Sequence, residues 1–174
     1  MKRIFAALCC VVLCSIPLLA KPKAAGGAAM SDQKFVDFAA QTDMVESNLG
    51  KLADSVADSQ QVKDYGQMLV TDHEKDLQQL KDLAQTNNLK VPDAIDAGNN
   101  RMLIGPFHKL KGAAFDHRYI RTMVEGHTKA IAIYKKEAAD AQNPALKSYA
   151  QDALPVLQKH LDAAKKLEKG KAAM

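Results

Sequence analysis

Four long stretches of this sequence carry apolar residues at spacings of three and four, and nowhere do apolar and polar residues alternate as a half-buried strand requires. That restricts the chain to helices. The first stretch, residues 32–57, follows Ser31 at an N-cap position and turns Phe35, Phe38, Ala39, Leu49, Leu52, Ala53 and Val56 inward. Asp58 and Ser59 make a short turn and the next cap. The second stretch, residues 60–86, has Val62, Tyr65, Leu69, Leu77, Leu80 and Ala84 inside and stops at Asn87-Asn88. The third, residues 113–141, turns Tyr119, Ile120, Met123, Val124, Ile131 and Tyr134 inward. Asn143-Pro144 then breaks the chain and sets proline in the first turn of the fourth, residues 144–169, where it is tolerated. That helix carries Leu146, Tyr149, Ala153, Leu157, Leu161 and Ala164. Pro155 falls in its middle, removes a backbone hydrogen bond and predicts a bend one turn before His160.

Residues 87–112 separate the second and third stretches and hold Pro92, Gly98, Gly105 and Pro106. Within them Met102, Leu103, Phe107 and Leu110 predict a short helix lying across the others. Two helical hairpins joined by one long crossover make an all-α four-helix bundle with the connectivity of ferritin-like folds.

The bundle does not begin at Met1. Lys2 and Arg3 precede residues 4–20, which carry no charge, and Pro17 lies near the end of that run. This is the pattern of a secretory signal peptide, with cleavage expected after Ala20, and no stop-transfer segment follows. Residues 21–30 (KPKAAGGAAM) read as a flexible linker, residues 31–169 as the bundle and residues 170–174 as a disordered tail. Cys9, Cys10 and Cys14 all lie in the signal, so the mature chain has no disulfide, thiolate ligand or haem-attaching C-x-x-C-H. Lipidation is not expected, because Leu8, Cys9 and Leu13 precede the cysteines where a small residue is wanted. The expected location is the periplasm or the exterior, and association with the outer membrane is compatible with the pattern. No transmembrane span is expected in the mature chain.

Charge excludes one large class of partner. Removing Lys2 and Arg3 leaves 22 basic residues against 20 acidic ones, a net of +2, with no run of five like charges and no tryptophan. Nucleic acid is therefore not an expected partner. A protein partner in the envelope is compatible with these numbers, and no residue pattern identifies it.

A polar residue interrupts the apolar seam of each long helix: Glu46 in the first, His73 in the second, His127 in the third and His160 in the fourth. Counted from the turns at about 1.5 Å per residue, Glu46 and His73 differ in height by about 3 Å, and His127 and His160 by about 4–5 Å. If the hairpins pack in phase, a carboxylate and three imidazoles meet at one level. A buried carboxylate needs a cation or hydrogen-bond donor. Two readings follow. In one, the four residues hold one divalent transition metal (Zn, Fe, Mn, Ni or Cu), with Asp72, Asp43, Tyr65 and Tyr134 behind them. In the other, the protein is a non-enzymatic envelope or stress-related interaction protein, and the Glu–His cluster is a metal-free polar core that fixes register.

The segments MLVTDHEKDLQQLKDLA, LKGAAFDHRYIRTMVEGHTKAIAIYKKEA and LPVLQKHLDAAKKL resemble a bacterial exported family called domain of unknown function 4142. The likeness rests on Asp72-His73, on Phe115-Asp116 with Tyr119, on His127, and on Leu154-Pro155 with His160, and runs from about residue 32 to residue 167. The resemblance implies a ferritin-like fold and an exported location, and it implies no activity. Di-iron chemistry is not expected. Di-iron bundles use Glu-x-x-His on two helices, whereas Val70 stands three residues before His73 and Leu157 three before His160. Glu125 lies about 160° around the helix from the seam of His127.

Other residues read as structural. Asp116 suits the first turn of a helix and Tyr119 the core, although the two could form a second polar cluster. His108 and His117 read as surface residues, and Met44, Met68, Met102 and Met123 as core filler. No serine has the context of a nucleophile and no glycine-rich phosphate loop occurs, so catalytic residues are not assigned. The protein is expected not to be an enzyme, with metal-dependent redox chemistry as the exception left open. Haem is not expected, because the seams offer medium-sized side chains.

Overall fold

The computed structural model describes residues 29–172. The expected signal peptide and residues 21–28 of the expected linker lie outside them, as do residues 173 and 174. All regular structure among the described residues is helical. The long helices are α1 (Asp32–Val56), α2 (Gln60–Thr86), α4 (Gly112–Asp140) and α5 (Pro144–Ala172), and the short α3 (Ala97–Asn99) lies in the crossover. α5 therefore continues past the expected end at residue 169, so residues 170–172, expected in a disordered tail, are helical. It also runs unbroken through Pro155. None of these helices is long and apolar enough to cross a membrane.

The two hairpins, α1 with α2 and α4 with α5, are packed tightly along their lengths, and they meet through α2 on α5 and α1 on α4. Glycine sets the spacing of the first hairpin. A Cβ on Gly50 would lie 2.5 Å from the Gly66 carbonyl oxygen, and one on Gly66 would lie 2.9 Å from both the Gly50 oxygen and Ala53 Cβ. Only hydrogen at these positions lets the backbones come so close.

Helix ends explain the turns. Asn88 takes φ +54° after α2, a left-handed conformation that asparagine tolerates, and Leu89 N–H closes back on the Ala84 carbonyl. Ser31 and Ser59 hold the N-cap positions of α1 and α2, but neither side chain makes a capping hydrogen bond. Asp116 from α4 does this for α2. Its buried carboxylate accepts from Asp58 N–H at 3.1 Å and Ser59 N–H at 3.0 Å. A charge at a helix N-terminus is favourable, and here it also links the two hairpins. This replaces the expectation that Asp116 serves its own helix.

The crossover also departs from the expected short amphipathic helix. A π-helical turn at Asn100–Ile104 and a 3-10 turn at Gly105–Phe107 follow α3. These shift the helical phase, so Ile104 and Phe107 are buried while Met102 and Leu103, expected inside, are 67% and 40% exposed.

The apolar interior divides into two clusters. Phe35, Leu80, Tyr134, Leu146 and Tyr149 centre the first. Leu49, Leu69, Phe107, Phe115, Tyr119 and Ile120 centre the second. Burial of large aliphatic and aromatic side chains contributes about 1.5–3 kcal/mol each, which makes these clusters the main source of stability. His73 on α2 and His127 on α4 stand between the two clusters in sequence, and Glu46 on α1 and His160 on α5 stand one residue from the boundary.

Candidate metal centre

Glu46, His73, His127 and His160 come together in the interior. His127 and His160 are fully buried, and His73 and Glu46 are 3% and 5% exposed. Glu46 Oε2 lies 2.9 Å from His73 Nε2 and 3.1 Å from His127 Nε2. His127 Nε2 lies 3.2 Å from His160 Nδ1. One nitrogen from each histidine falls within 4.8 Å of the others.

The outward nitrogens are all engaged. His127 Nδ1–H donates to the Met123 carbonyl at 3.0 Å, one turn earlier on α4. His160 Nε2–H donates to Asp72 Oδ2 at 2.9 Å. His73 Nδ1 faces Asp43 Oδ1 at 2.9 Å. These contacts decide where the protons sit. A carbonyl can only accept, so neutral His127 carries its proton on Nδ1 and leaves Nε2 bare. Although burial pushes the Asp72 carboxyl up, hydrogen bonds from His160 and Lys159 hold it below the usual range, so it too accepts. Burial lowers His160 to about 4, which keeps the ring neutral and leaves Nδ1 bare. With both rings neutral, His127 Nε2 and His160 Nδ1 face each other as lone pairs; a protonated His127 places its Nε2–H in this contact and beside Glu46. With Asp43 ionised, His73 donates from Nδ1 and turns Nε2 to Glu46, where it carries a proton as an imidazolium and a lone pair once that proton is lost.

In the remaining contact, Glu46 Oε2 and His73 Nε2 are 2.9 Å apart and form an ion pair when His73 is protonated. One nitrogen from each histidine is thus gathered at one place, with Glu46 Oε2 beside those of His73 and His127. Tetrahedral ligands at 2.0–2.2 Å around one ion would stand about 3.3–3.6 Å apart; the close pairs here are 2.9–3.2 Å apart and the histidine nitrogens all lie within 4.8 Å, so small side-chain shifts bring them into place. The residues present fit a transition-metal ion.

Without an ion, a proton can take its place. Burial disfavours charge on His73, but the Glu46 charge and hydrogen bonds to Asp43 and Glu46 overcome it and raise the ring to about 10. Burial also pushes Glu46 up, and the charges of His127 and His73 reverse this and bring it down to about 2. Burial raises Asp43 to about 7 against its bond to His73.

The supporting residues fall differently from the sequence reading. Asp43 backs His73, and Asp72 backs His160 rather than its neighbour His73. Tyr65 O–H donates to the His160 backbone carbonyl at 3.3 Å, so it touches the helix rather than the ring. Tyr134 has no hydrogen bond to the four residues and packs instead with Phe35, Phe38 and Tyr149. Glu125 is exposed and pairs with Arg121, while His108 and His117 are on the surface. Two features escaped the sequence reading. Asp76 accepts from Tyr149 O–H at 2.7 Å beside the site. The Met123 carbonyl fixes the His127 tautomer, a role any residue four positions before a buried histidine can fill.

The sequence matches the family described as Domain of unknown function (DUF4142) over residues 18–167. The chain belongs to this family. No curated protein matches it. Two solved structures of CopM share the fold of this DUF4142 protein. CopM in the Cu(II)-bound form has a TM-score of 0.68 and 16% identity, covering 82% of this chain and 98% of that one. CopM in the Ag-bound form, prepared by co-crystallization, has a TM-score of 0.62 and 17% identity, covering 80% and 96%. At these identities the likeness shows the fold alone.

Proposed function

We propose that this protein is an exported ferritin-like bundle that binds one divalent transition metal through Glu46, His73, His127 and His160. The observation that carries the reading is the convergence itself: one nitrogen from each of His73, His127 and His160 lies within 4.8 Å of the others, with Glu46 Oε2 at 2.9 Å and 3.1 Å from two of them, while the outer ring nitrogens contact Asp43, the Met123 carbonyl and Asp72. Second partners of this kind orient metal-binding imidazoles. Export is supported by the basic start and uncharged run of residues 1–20.

The donor set favours a borderline ion over a soft one. Three imidazoles and a carboxylate, with no thiolate or thioether among them, suit copper(II) or zinc(II), and copper(II) is the tightest by the usual divalent order. The Cu(II)-bound form of the structural neighbour CopM agrees with that preference. Four protein ligands fill a tetrahedral shell, whereas catalytic sites keep a position open, so the role is binding and not catalysis.

A metal-free register network has one observation in its favour: His73 lies between two carboxylates, Asp43 and Glu46, and is complete as an imidazolium. Elemental analysis of mature protein purified without chelator separates the readings. About one equivalent of copper or zinc, lost in the Glu46→Gln/His127→Ala variant, supports a metal-binding bundle. No metal as purified and none taken up on addition of either ion leaves the polar network.

A further inference from the structure

We propose that the groove between α2 and α5 is the route by which the cation reaches and leaves the centre. The inference rests on the metal reading above. The groove has a volume of about 480 Å3, and two of the four proposed ligands, His73 and His160, line it. Asp72, Asp76 and Asp152 line it as well, against the single basic residue Lys75. Carboxylates lining a cleft concentrate cations and raise the rate of encounter. His73 lies at the groove's inner end with its Nε2 turned to Glu46 Oε2 at 2.9 Å, so the groove leads from solvent to the four-residue centre.

Asp72 joins the groove to the interior. Its side chain is 27% exposed, and its Oδ2 touches both His160 Nε2 and the exposed Lys159 Nζ, at 2.9 Å and 3.3 Å. A cation can exchange Lys159 for itself on this oxygen while still in water, one residue away from a ligand. The opposite face is less suited. A second groove of about 450 Å3 between α1 and α4 is also acidic, with Asp37, Asp96 and Glu125 against Lys129, but it reaches one proposed ligand, Glu46, where the α2/α5 groove reaches two. The crossover roofs it. Gln41 accepts from Asp96 N–H and from the Asn99 side chain, and it donates to the Ala94 carbonyl. No described element covers the α2/α5 groove in this way.

Cobalt(II) binding to the metal-free mature protein, followed by stopped-flow absorbance, tests the route. Asp152 and Val156 are exposed on the groove wall, so Asp152→Lys/Val156→Trp should fold normally while plugging and recharging the entrance. Uptake and chelator-driven release should both slow by about tenfold or more, with one equivalent still bound. Gly126→Ala narrows the opposite groove, its Cβ meeting Glu46 Oε1 at an ordinary 3.6 Å, and should leave both rates unchanged. Unchanged rates in the α2/α5 variant, or slowing only in Gly126→Ala, overturn the route while leaving the metal centre intact. No cobalt binding by the wild type overturns the centre itself, and the route with it.

Discussion

Metal should compete with a proton for this site, and the proton count can be predicted. In the metal-free protein the ring of His73 is held to about 10 by its two carboxylate neighbours. At pH 8 it is therefore an imidazolium, and Nε2 must lose its proton before it can coordinate. Asp43, raised to about 7, is mostly ionised at that pH and keeps Nδ1–H as its donor. Binding should then release about one proton per metal. Between pH 8 and 10 the apparent affinity should rise tenfold per pH unit, so the proton weakens binding about a hundredfold at pH 8, equivalent to about 3 kcal/mol. Titration calorimetry in two buffers of different ionisation enthalpy reads the number directly. Release of no proton at pH 8, with an affinity flat in pH, would refute the geometry argued for His73.

Three further outcomes follow from other parts of the molecule. In the metal-free protein the Glu46 carboxyl drops from 4.5 to about 2 on folding, so its contribution is present above pH 4.5 and fades as pH falls toward 2. That contribution is about 3 kcal/mol, and urea melts at pH 6 and pH 2.5 should show it in wild type and not in Glu46→Gln. Asp116→Ala should cost about 2–3 kcal/mol by leaving the Asp58 and Ser59 backbone donors of the α1–α2 turn without their buried acceptor, with metal stoichiometry unchanged, as chemical denaturation and elemental analysis would show. Gly66→Ala should destabilise by about 1–3 kcal/mol, because a new Cβ forces α1 from α2, and thermal melts report it; a neutral result would contradict the close approach at Gly50.

Much of the helical layout was legible because amphipathic periodicity is a local property. The seams of α1, α2, α4 and α5 could be read directly, and a polar residue breaking an apolar seam announces itself. Glu46, His73, His127 and His160 stood out for that reason, and the structure brings them together. What lay beyond the sequence depends on how helices are phased against one another. Asp72 precedes His73 but serves His160, because α5 and not α2 presents the ring that faces it. Asp116 caps a helix that begins more than 50 residues earlier, a contact with no local signature. Met102 and Leu103 read as buried only if the crossover is a regular helix, and the π-helical turn moves them outward. Tyr134 shares the seam of His127 but stands two turns along it, among aromatic rings.

In the proposed metal-bound state, three imidazoles and one carboxylate converge on a single ion. X-ray absorption spectroscopy of the mature protein loaded with one equivalent of copper(II) tests it most directly. The predicted spectrum has a first shell of nitrogen and oxygen only, with outer-shell scattering from about three imidazole rings, falling to about two in His127→Ala. A sulfur shell, or scattering from no more than one imidazole, would place the copper elsewhere and contradict the claim.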